Sequence, residues 1–401
     1  MATVVQKFGG SSLASLERLA EVADLVAATR KAGSDLVVVV SAMGKTTEGL
    51  LELGRQAGIV GISGTRDPTF ELPRREFDML VSTGERVSMA LLSIALQARG
   101  VSAISFTGSQ AGIVTSERHF DAEILEIQPQ RIEQQLARGR VVIVAGYQGV
   151  SRSREITTLG RGGSDTTAVA LAAVLRAERC EIYSDVDGVY TADPNRVDGA
   201  RHLAQIDYDT LQSMADAGAK VVNARAVAWG RRHAVTIHAR ATADFARGKT
   251  GRETRVVPNL ASSGARAIVA CPRLALLRAA PSAREQLLSA LRAAELPVRD
   301  ARLLTDGYLV TVPLTSVPDF AAARCRLEEQ GIPELSVEEC CAEVSALGAD
   351  VAAHSESLLS ALPAPPRVSL SEPSRLSAAV TPESLLEAER RWHQRWVEAA
   401  C

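Results

Sequence analysis

Residues Thr157–Ala173 read TTLGRGGSDTTAVALAA, and the rest of the chain is organised around this stretch. Its glycines permit positive φ angles and let the backbone approach a ligand closely. Ser164 or Asp165 is suited to cap the apolar helix predicted to follow, whose N-terminus attracts anions. Arg161 adds a guanidinium that can bind a carboxylate or a phosphate through two hydrogen bonds. Taken alone, the stretch fits an anion-binding loop whose expected ligand is phosphate. It fits equally well a glycine-rich turn before a core helix.

Strands and helices alternate on both sides of that stretch. The predicted strands are Thr3–Phe8, Asp35–Val40, Ser102–Thr107, Val141–Ala145, Glu181–Ser184 and Val235–His238. The predicted helices are Leu13–Arg30, Glu76–Ala98, Gln130–Arg138, Asp165–Arg176, Tyr208–Asp216 and Ala224–Arg232, and residues 57–75 are predicted to form a loop. Continuous apolar runs such as DLVVVV are typical of parallel strands that are buried on both faces. The pattern predicts an α/β domain over residues 1–260, with a mainly parallel sheet that binds ligands where its strands end.

A different pattern begins near Pro258–Gly264. The sequence EQLLSAL at Glu285–Leu291 returns as ESLLSAL at Glu356–Leu362. A predicted strand precedes each copy, at Ala267–Ala270 and at Glu343–Leu347. We interpret residues 264–401 as two similar α+β modules, with a chance match as the alternative. The last predicted elements are a strand at Val368–Val380 and a charged helix at Pro382–Trp396.

The composition indicates a globular protein and disfavours several functional classes. The chain has 401 residues, 23% of them charged, and a formal net charge of −2, so no charge excess supports nucleic-acid binding. Its six cysteines show no CxxC spacing, which argues against a disulfide scaffold or a structural zinc site. No secretory leader is visible, and the apolar run Ala168–Leu175 is too short to span a bilayer. We therefore expect a cytoplasmic protein with no membrane or nucleic-acid partner.

Polar groups also cluster at the ends of two other predicted strands. In KFGGSS at Lys7–Ser12, a cation stands beside backbone N–H groups at a helix start, an arrangement that suits phosphate. In SDVDGVYTADP at Ser184–Pro194, three acids, a glycine and a tyrosine are suited to a nucleotide and magnesium. The first is a weak signal by itself, and the second is equally an acidic, solvated turn. Because the chain has only five lysines, Lys220 in the sequence GAK also stands out.

Seven motifs occur in order over residues 3–260: KFGGSS, SAMG followed by Thr46-Thr47, STGER, FTGSQAG, GRGGSDTTA, SDVDGVYTADP and GAK. Together they resemble the aspartokinases of the amino acid kinase family, and the repeated modules resemble the tandem ACT domains that follow the kinase domain there. The resemblance implies an amino acid kinase-like α/β sandwich followed by two ACT-like modules. It also implies magnesium- and ATP-dependent phosphorylation of the β-carboxylate of L-aspartate to 4-phospho-L-aspartate. Transfer to an ionised carboxylate depends on positioning and charge neutralisation, and it needs no general base.

The resemblance assigns roles residue by residue. The implied catalytic residues are Lys7, Lys220 and Asp185. The implied nucleotide-binding residues are Lys7, Gly9, Gly10, Ser41, Ser184, Asp185, Tyr190, Asp193 and Lys220, with Gly9 and Gly10 supplying N–H donors. The implied aspartate-binding residues are Thr47, Glu85, Arg161, Gly162, Gly163 and Ser164. Arg161 is expected to pair with a substrate carboxylate and Glu85 with the ammonium group. The ATP phosphates are expected to supply most of the ligands of magnesium, with Asp185 as the candidate protein ligand.

Some positions depart from the family pattern. Asn195-Arg196 stands where the family has an arginine directly after Asp-Pro, and Asn223-Ala224 replaces a His-Pro pair. The modules carry Ala280–Ala283 and Ala352–Ser355 in place of the Asp/Gly-Pro-Gly turns near which effectors bind, and they gain Pro373. These changes predict weakened feedback inhibition by lysine or threonine, in modules that chiefly support a homodimer or higher oligomer. A kinase with a different acceptor and a non-catalytic protein on the same fold stay open as alternatives.

Overall fold

The computed structural model describes residues 2–59, 73–160, 162–219, 221–246, 251–258, 265–294, 296–305, 307–317 and 320–400. The chain forms two units. The first unit is Met1–Val189, His202–Gln212 and Lys220–Ser263, and the second is Tyr190–Arg201, Ser213–Ala219 and Gly264–Cys401. Two short segments from the N-terminal part of the chain therefore belong to the second unit. The domain bounds 1–260 and 264–401 stay a prediction, and the predicted loop 57–75 falls largely outside the described residues.

The helices and strands are numbered in chain order. The helices are α1 (Leu16–Lys31), α2 (Thr46–Ile59), α3 (Arg74–Val81), α4 (Thr83–Gln97), α5 (Gln130–Leu136), α6 (Gly163–Val174), α7 (Tyr208–Ala217), α8 (Ala224–His233), α9 (Thr242–Ala246), α10 (Arg284–Ala293), α11 (Phe320–Glu329), α12 (Ser355–Ser360) and α13 (Leu385–Trp396). The strands are β1 (Thr3–Phe8), β2 (Asp35–Val40), β3 (Ala103–Phe106), β4 (Ile113–Thr115), β5 (Ile124–Ile127), β6 (Val141–Ala145), β7 (Gln148–Ser151), β8 (Ile156–Thr158), β9 (Arg179–Ser184), β10 (Val189–Tyr190), β11 (His202–Leu203), β12 (Gln205–Ile206), β13 (Ile237–Ala241), β14 (Glu253–Val256), β15 (Ala267–Ala279), β16 (Asp300–Leu304), β17 (Gly307–Pro313), β18 (Ser336–Leu347), β19 (Val368–Glu372) and β20 (Arg375–Val380).

An eight-stranded sheet forms the centre of the first unit, in the order β12-β14-β13-β9-β1-β2-β6-β3. Its neighbouring strands run parallel except for β13 and β14. The middle strands β1, β2 and β6 are buried along almost their whole length, which explains the continuous apolar sequences of β2 and β6. The predicted α/β class with a mainly parallel sheet is confirmed.

Helices cover both faces of this sheet. On one face, Val22 of α1 and Leu92 of α4 pack against Val4, Phe8 and neighbouring strand residues. On the other face, α6 lies against β1, β2 and β9, with α8 beside it. Nearly every residue of α6 is buried, as expected for a helix whose sequence is apolar or small all round.

A second sheet, in the order β5-β4-β7-β8, supports the loop that precedes α6. The sequence did not indicate these four strands, because each has only three to four residues. Strand β8 ends at Thr158, and the chain then passes through the glycine-rich loop into α6. The small sheet therefore fixes the entry to that loop.

The single helix predicted over Glu76–Ala98 is divided into α3 and α4 at Ser82. The Ser82 carbonyl oxygen accepts a 2.8 Å hydrogen bond from the Gln148 amide nitrogen. By length and composition alone, Arg74–Gln97 would suffice to span a membrane, but core helices pass the same test, and 44% of its most apolar window is buried. The buried residues include Asp78 and Glu85, and we describe the two helices as core elements.

A six-stranded sheet forms the second unit, in the order β16-β17-β15-β18-β20-β19, with every neighbouring pair antiparallel. Helices α10 and α11 pack on one part of the sheet, and α12 and α13 pack on the other. The prediction of two α+β modules is confirmed. The single strand predicted at Val368–Val380 is wrong: β19 and β20 form a hairpin, and Pro373 lies in its turn, where no ladder donor is required.

Buried ion pairs connect parts of this sheet that are distant in strand order. Arg299 donates to Glu343 at 2.7 Å, with both side chains almost fully buried. Arg375 of β20 pairs with Asp300 of the edge strand β16, and Arg302 of β16 pairs with Glu372 of the opposite edge strand β19. Both edge strands of the sheet, β16 and β19, therefore take part in ion pairs.

The segment 190–201 packs inside the second unit, against α13. Ala192 and Val197 lie in the same apolar cluster as Trp392 and Trp396. Arg196 donates a 2.6 Å hydrogen bond to the buried carboxylate of Glu389. Arg196, the arginine that follows Asp-Pro-Asn, is therefore bound to α13 of the second unit.

Candidate active site

Three neighbouring parallel strands end at one edge of the large sheet, and their last residues bond to one another. The Ser41 N–H donates to the Phe8 carbonyl oxygen at 3.1 Å, and the Gly44 N–H donates to the Gly10 carbonyl oxygen at 3.0 Å. The Gly9 N–H donates to the Tyr183 carbonyl oxygen at 3.2 Å. The structure thus brings the KFGGSS, SAMG and SDVDG stretches together, as expected for the carboxyl ends of parallel strands.

The two glycines of KFGGSS have different uses. A Cβ atom at Gly10 would lie 2.9 Å from the Ala42 carbonyl oxygen and 3.0 Å from that of Gly44, so a side chain does not fit. A Cβ atom at Gly9 would lie 3.4 Å from Lys7 Nζ. Because the Gly9 N–H already bonds to Tyr183, the prediction that it is a free donor is wrong for this conformation. Gly9 instead leaves room beside the lysine.

Lys7 and Asp165 form a buried ion pair at this edge, with Nζ 2.6 Å from Oδ1. Side chains alternate along a strand, so Phe8 points into the core beneath α1 and α4 whereas Lys7 faces α6. About a tenth of each side chain is exposed. A cation held by a carboxylate in the first turn of a helix is available to neutralise an anion that reaches the strand ends.

The start of α6 differs from the capping prediction. The residue that precedes the helix is Gly162, in the left-handed region at φ +71°, and no side chain caps it. The prediction that Ser164 or Asp165 is the cap is wrong, because both already lie in the first helical turn. A Cβ atom at Gly162 would overlap the side-chain amide nitrogen of Asn223, which explains the glycine.

The other residues of the glycine-rich loop have mixed placements. Ser164 is buried, and its hydroxyl would lie 2.8 Å from a Cβ atom at Gly146, the residue after β6. Gly163 starts the helix and hydrogen-bonds to the Gly160 carbonyl oxygen at 3.0 Å. Arg161 and Lys220, two of the most important predicted residues, lie outside the described residues.

Glu85 is a buried carboxylate with an uncommitted oxygen. It is 3% exposed, and its Oε1 accepts a hydrogen bond from the Ala42 N–H at 3.1 Å. Its Oε2 is buried and has no hydrogen-bond partner among the described residues. Burial raises the pKa of Glu85 to about 7, with the Ala42 N–H opposing the shift. An unpaired buried carboxylate oxygen is costly, so the arrangement suits a cationic ligand group such as an ammonium.

The remaining predicted site residues are more exposed. Thr47 is half-buried in the first turn of α2, and Asp185 is exposed directly after β9. The Ser184 hydroxyl accepts from the Val186 N–H at 3.3 Å. Tyr190 and Asp193 belong to the segment 190–201 of the second unit, where the Asp193 carboxylate accepts from the Asn195 N–H at 2.9 Å.

No group of three or more His, Cys, Asp or Glu side chains suited to a metal ion occurs in the part of the chain that the structure describes. A lone exposed carboxylate such as Asp185 nevertheless fits magnesium that arrives with a nucleotide, since that ion usually takes one or two protein carboxylates plus phosphate oxygens.

Residues 2–239 match the model of the amino acid kinase family. The chain belongs to that family. The aspartokinase of Mycolicibacterium smegmatis is 51% identical to this amino acid kinase over 243 residues, which are 60% of this chain and 55% of the relative. The match thus takes in little more than half the length of the curated relative, and it confirms the resemblance to the aspartokinases.

Two solved structures extend the likeness beyond the kinase half. Aspartate kinase from Synechocystis is 31% identical, with a TM-score of 0.55, and the alignment covers 98% of this chain and 69% of that one. Aspartokinase III from E. coli, solved with aspartate and ADP, has a TM-score of 0.80 over 98% of this chain and 99% of that one. At 23% identity, the second comparison supports the fold alone.

Two residues that sequence reasoning did not place in the site are Asp165 and Asn223. From the sequence, Ser164 or Asp165 is the candidate helix cap, whereas in the structure Asp165 stands opposite an inward-facing lysine. Asn223 appeared only as a departure from the family pattern, yet it caps α8 through the Arg225 N–H and lies against Gly162. A lysine at an otherwise apolar strand position was the available signal, since such a cation requires a buried partner.

Proposed function

We propose that this amino acid kinase transfers the γ-phosphoryl group of ATP to the β-carboxylate of L-aspartate, giving 4-phospho-L-aspartate. The observation that carries the proposal is the buried Lys7–Asp165 pair beside the strand-end glycines. These residues lie in the stretch 2–239 that matches the family model, and the chain is about 50% identical to curated aspartokinases over 243 residues. The unpaired oxygen of Glu85 adds support, because it favours an acceptor that carries an ammonium group.

Charge neutralisation and positioning supply the catalysis in this proposal. Lys7, held by Asp165, stabilises the negative charge that develops on the transferring group, and Lys220 acts with it. Asp185 would be the protein contact for magnesium that arrives with the nucleotide, and the ion would supply charge neutralisation at the phosphates. The acceptor carboxylate is ionised at neutral pH and attacks directly, so no residue removes a proton.

The acceptor and the nucleotide are assigned to separate residues. Arg161 pairs with a carboxylate of aspartate and Glu85 with its ammonium group, and Thr47, Gly162, Gly163 and Ser164 complete that pocket. Gly9, Gly10, Ser41, Ser184, Asp185, Tyr190, Asp193 and Lys220 hold ATP. Gly9 acts through the space it leaves rather than through its N–H.

A hydroxamate assay with ATP and magnesium tests the proposal, because acyl phosphates react with hydroxylamine. Aspartate, glutamate and acetylglutamate are offered in parallel. We expect product from aspartate, and we expect Lys7→Ala and Arg161→Ala each to lower its rate of formation strongly at moderate aspartate concentrations. Arg161→Ala should raise the KM for aspartate far more than the KM for ATP; the reverse would assign the loop to the nucleotide. Product from another acid, with none from aspartate, would replace the proposed acceptor, and no product from any acid would favour a non-catalytic protein.

We also infer that feedback inhibition is weakened and that the second unit supports a homodimer or higher oligomer. The altered turns at Ala280–Ala283 and Ala352–Ser355 support the first inference, and the likeness to aspartokinases supports the second. Strong inhibition by millimolar lysine or threonine, alone or together, would overturn the first. Light scattering during size-exclusion chromatography decides the second. The same likeness supports a proposed cytoplasmic location.

A further inference from the structure

Asp78 is a fully buried carboxylate for which the proposed reaction has no use. It lies on α3, and its relative exposure is 0%. Burial raises the pKa of Asp78, and hydrogen bonds from Thr158, His119 and Phe120 oppose the shift. A carboxylate in such a position is retained only where donors compensate for its lost hydration. Its partners therefore indicate what it does.

Those donors come from two separate pieces of chain. The Thr158 hydroxyl donates to Oδ1 at 2.6 Å, and His119 Nδ1 lies 2.7 Å from Oδ2. The Phe120 N–H lies 3.2 Å from both carboxylate oxygens. Phe120 has φ +69°, a left-handed conformation that an aromatic residue rarely adopts without support. Asp78 thus holds the 119–120 turn to the end of β8.

Both pieces lead to the glycine-rich loop. Thr158 is the last residue of β8, and its carbonyl oxygen accepts from the Ala122 N–H at 2.8 Å. The residue after the turn, Asp121, lies against Gly160, where a Cβ atom would be 2.8 Å from its Oδ1. Asp121 also pairs with Arg225, which donates to the Leu159 carbonyl oxygen at 3.2 Å. The residues that contact Leu159 and Gly160, namely Asp121 and Arg225, are therefore positioned in part by the contacts of Asp78.

The same residue is tied to the other half of the proposed acceptor pocket. Helix α3 passes through Ser82 directly into the first turn of α4, which carries Glu85. Gln148 of β7, the strand paired with β8, fixes that junction through the Ser82 carbonyl oxygen. Asp78 is thus the buried link between the helix that presents Glu85 and the strand that leads into the loop.

We propose that Asp78 is a positioning residue for the amino-acid acceptor, which sets the glycine-rich loop at the correct distance from Glu85 by anchoring Thr158 and the 119–120 turn. The proposal rests on the proposed function, because it takes the loop and Glu85 as the acceptor side. It assigns Asp78 no contact with either substrate. Loss of the anchor therefore weakens acceptor binding and leaves nucleotide binding in place.

Steady-state kinetics of Asp78→Asn, Thr158→Val and Thr158→Ser test this assignment. We expect the first two to raise the KM for aspartate about tenfold while the KM for ATP changes by less than about twofold. Thr158→Ser keeps the hydroxyl donor and should restore the wild-type KM. The matched control is Asp35→Asn, which removes the partner of Arg30 at the opposite end of the sheet and should move neither KM.

The outcomes are distinguishable. Unchanged KM values for aspartate in folded Asp78→Asn and Thr158→Val would overturn the assignment, and so would equal rises for aspartate and ATP, which indicate a merely structural role. If Asp78→Asn does not fold by circular dichroism, the Thr158 pair decides, since Thr158→Val loses the hydroxyl donor at nearly constant shape whereas Thr158→Ser keeps the donor and loses only a methyl group. Wild-type enzyme without activity on aspartate would instead overturn the proposed function, and the assignment would fall with it.

Discussion

Lys7–Asp165 in the first unit and Arg299–Glu343 in the second are both buried ion pairs with short contacts, 2.6 Å and 2.7 Å. Their surroundings differ. The first lies at the strand ends beside Gly9, which has no side chain, and about a tenth of each side chain of the pair is exposed. The second joins the residue before β16 to β18 in the six-stranded sheet, and its side chains are 6% and 2% exposed. A buried charge marks a candidate site where space for a ligand adjoins it, and otherwise it is a structural contact.

Lys7→Ala should show most clearly that the Lys7–Asp165 pair serves catalysis, whereas the Arg299–Glu343 pair serves stability. We expect kcat to fall about a hundred- to a thousandfold, because the variant loses a preorganised charge at the transferring group. The matched control is Lys31→Ala, which removes an exposed lysine at the end of α1. It should leave kcat unchanged and alter the free energy of unfolding by less than about 0.5 kcal/mol. Initial rates and circular dichroism of both variants check the prediction. A folded Lys7→Ala with near-normal kcat would remove Lys7 from the catalytic machinery.

Glu343→Gln should act on stability instead. The substitution leaves the Arg299 guanidinium buried without a counterion, and we expect the free energy of unfolding to fall by about 3 kcal/mol. Urea unfolding followed by tryptophan fluorescence reports on this unit, because Trp392 and Trp396 lie in its core. The double variant Arg299→Met/Glu343→Met, which removes both charges, should lose less. If the double variant were less stable than Glu343→Gln, the ion pair would make a net favourable contribution to the free energy of unfolding, beyond each charge offsetting the burial of the other.

Glu389→Gln gives a smaller effect in the same unit. Burial raises the pKa of Glu389, and Arg196 opposes the shift; the amide would weaken this charge-assisted contact by about 2 kcal/mol. Glu387→Gln on the same helix is the control, since its exposed pair with Arg391 contributes about 0.5 kcal/mol or less. Thermal melting of the two variants is the measurement. Equal losses would mean that burial does not distinguish these two pairs.

The two units also differ in how far the sequence predicted them. Strands Thr3–Phe8 and Asp35–Val40 are predicted to the residue: the first is a β-prone alternating segment that ends at Gly9-Gly10, and the second is an apolar run that lies between glycines. The hairpin at Pro373 was predicted as one strand, because nothing local shows that the chain reverses there rather than forming an edge. Strands of three or four residues such as β4 and β8 carry too few alternations to be recognised.

For the candidate site, the sequence indicated the strand-end residues but not the contacts between them. Lys7 and Glu85 follow from motifs, whereas the pairing of Lys7 with Asp165 depends on which face of β1 meets α6. Asp78 is harder still, because its partners are 41, 42 and 80 residues away in sequence. Such contacts follow from tertiary packing, which no spacing in the sequence encodes.

The pH dependence of acceptor binding should show the smallest effect and the most specific one. Burial raises the pKa of Glu85 to about 7, so the carboxylate that attracts an ammonium group is largely protonated at pH 6 and largely ionised at pH 8. We expect the KM for aspartate to fall about tenfold over that range, since neither aspartate carboxyl nor its ammonium group titrates there. The KM for ATP, measured in the same assays, is the internal control.

Stability should respond to the same group with the opposite sign. A carboxyl whose folded pKa lies above its ordinary value holds a proton that the unfolded chain releases, so its contribution to stability declines as the pH rises from about 4.5 to about 7. The glutamine in Glu85→Gln cannot ionise, so the variant should lose both the pH dependence of the KM for aspartate and this decline in stability. It should bind aspartate weakly at every pH. A wild-type KM that stays constant from pH 6 to pH 8 would place the ammonium group elsewhere. Glu85 would then be a structural carboxylate, like Glu343.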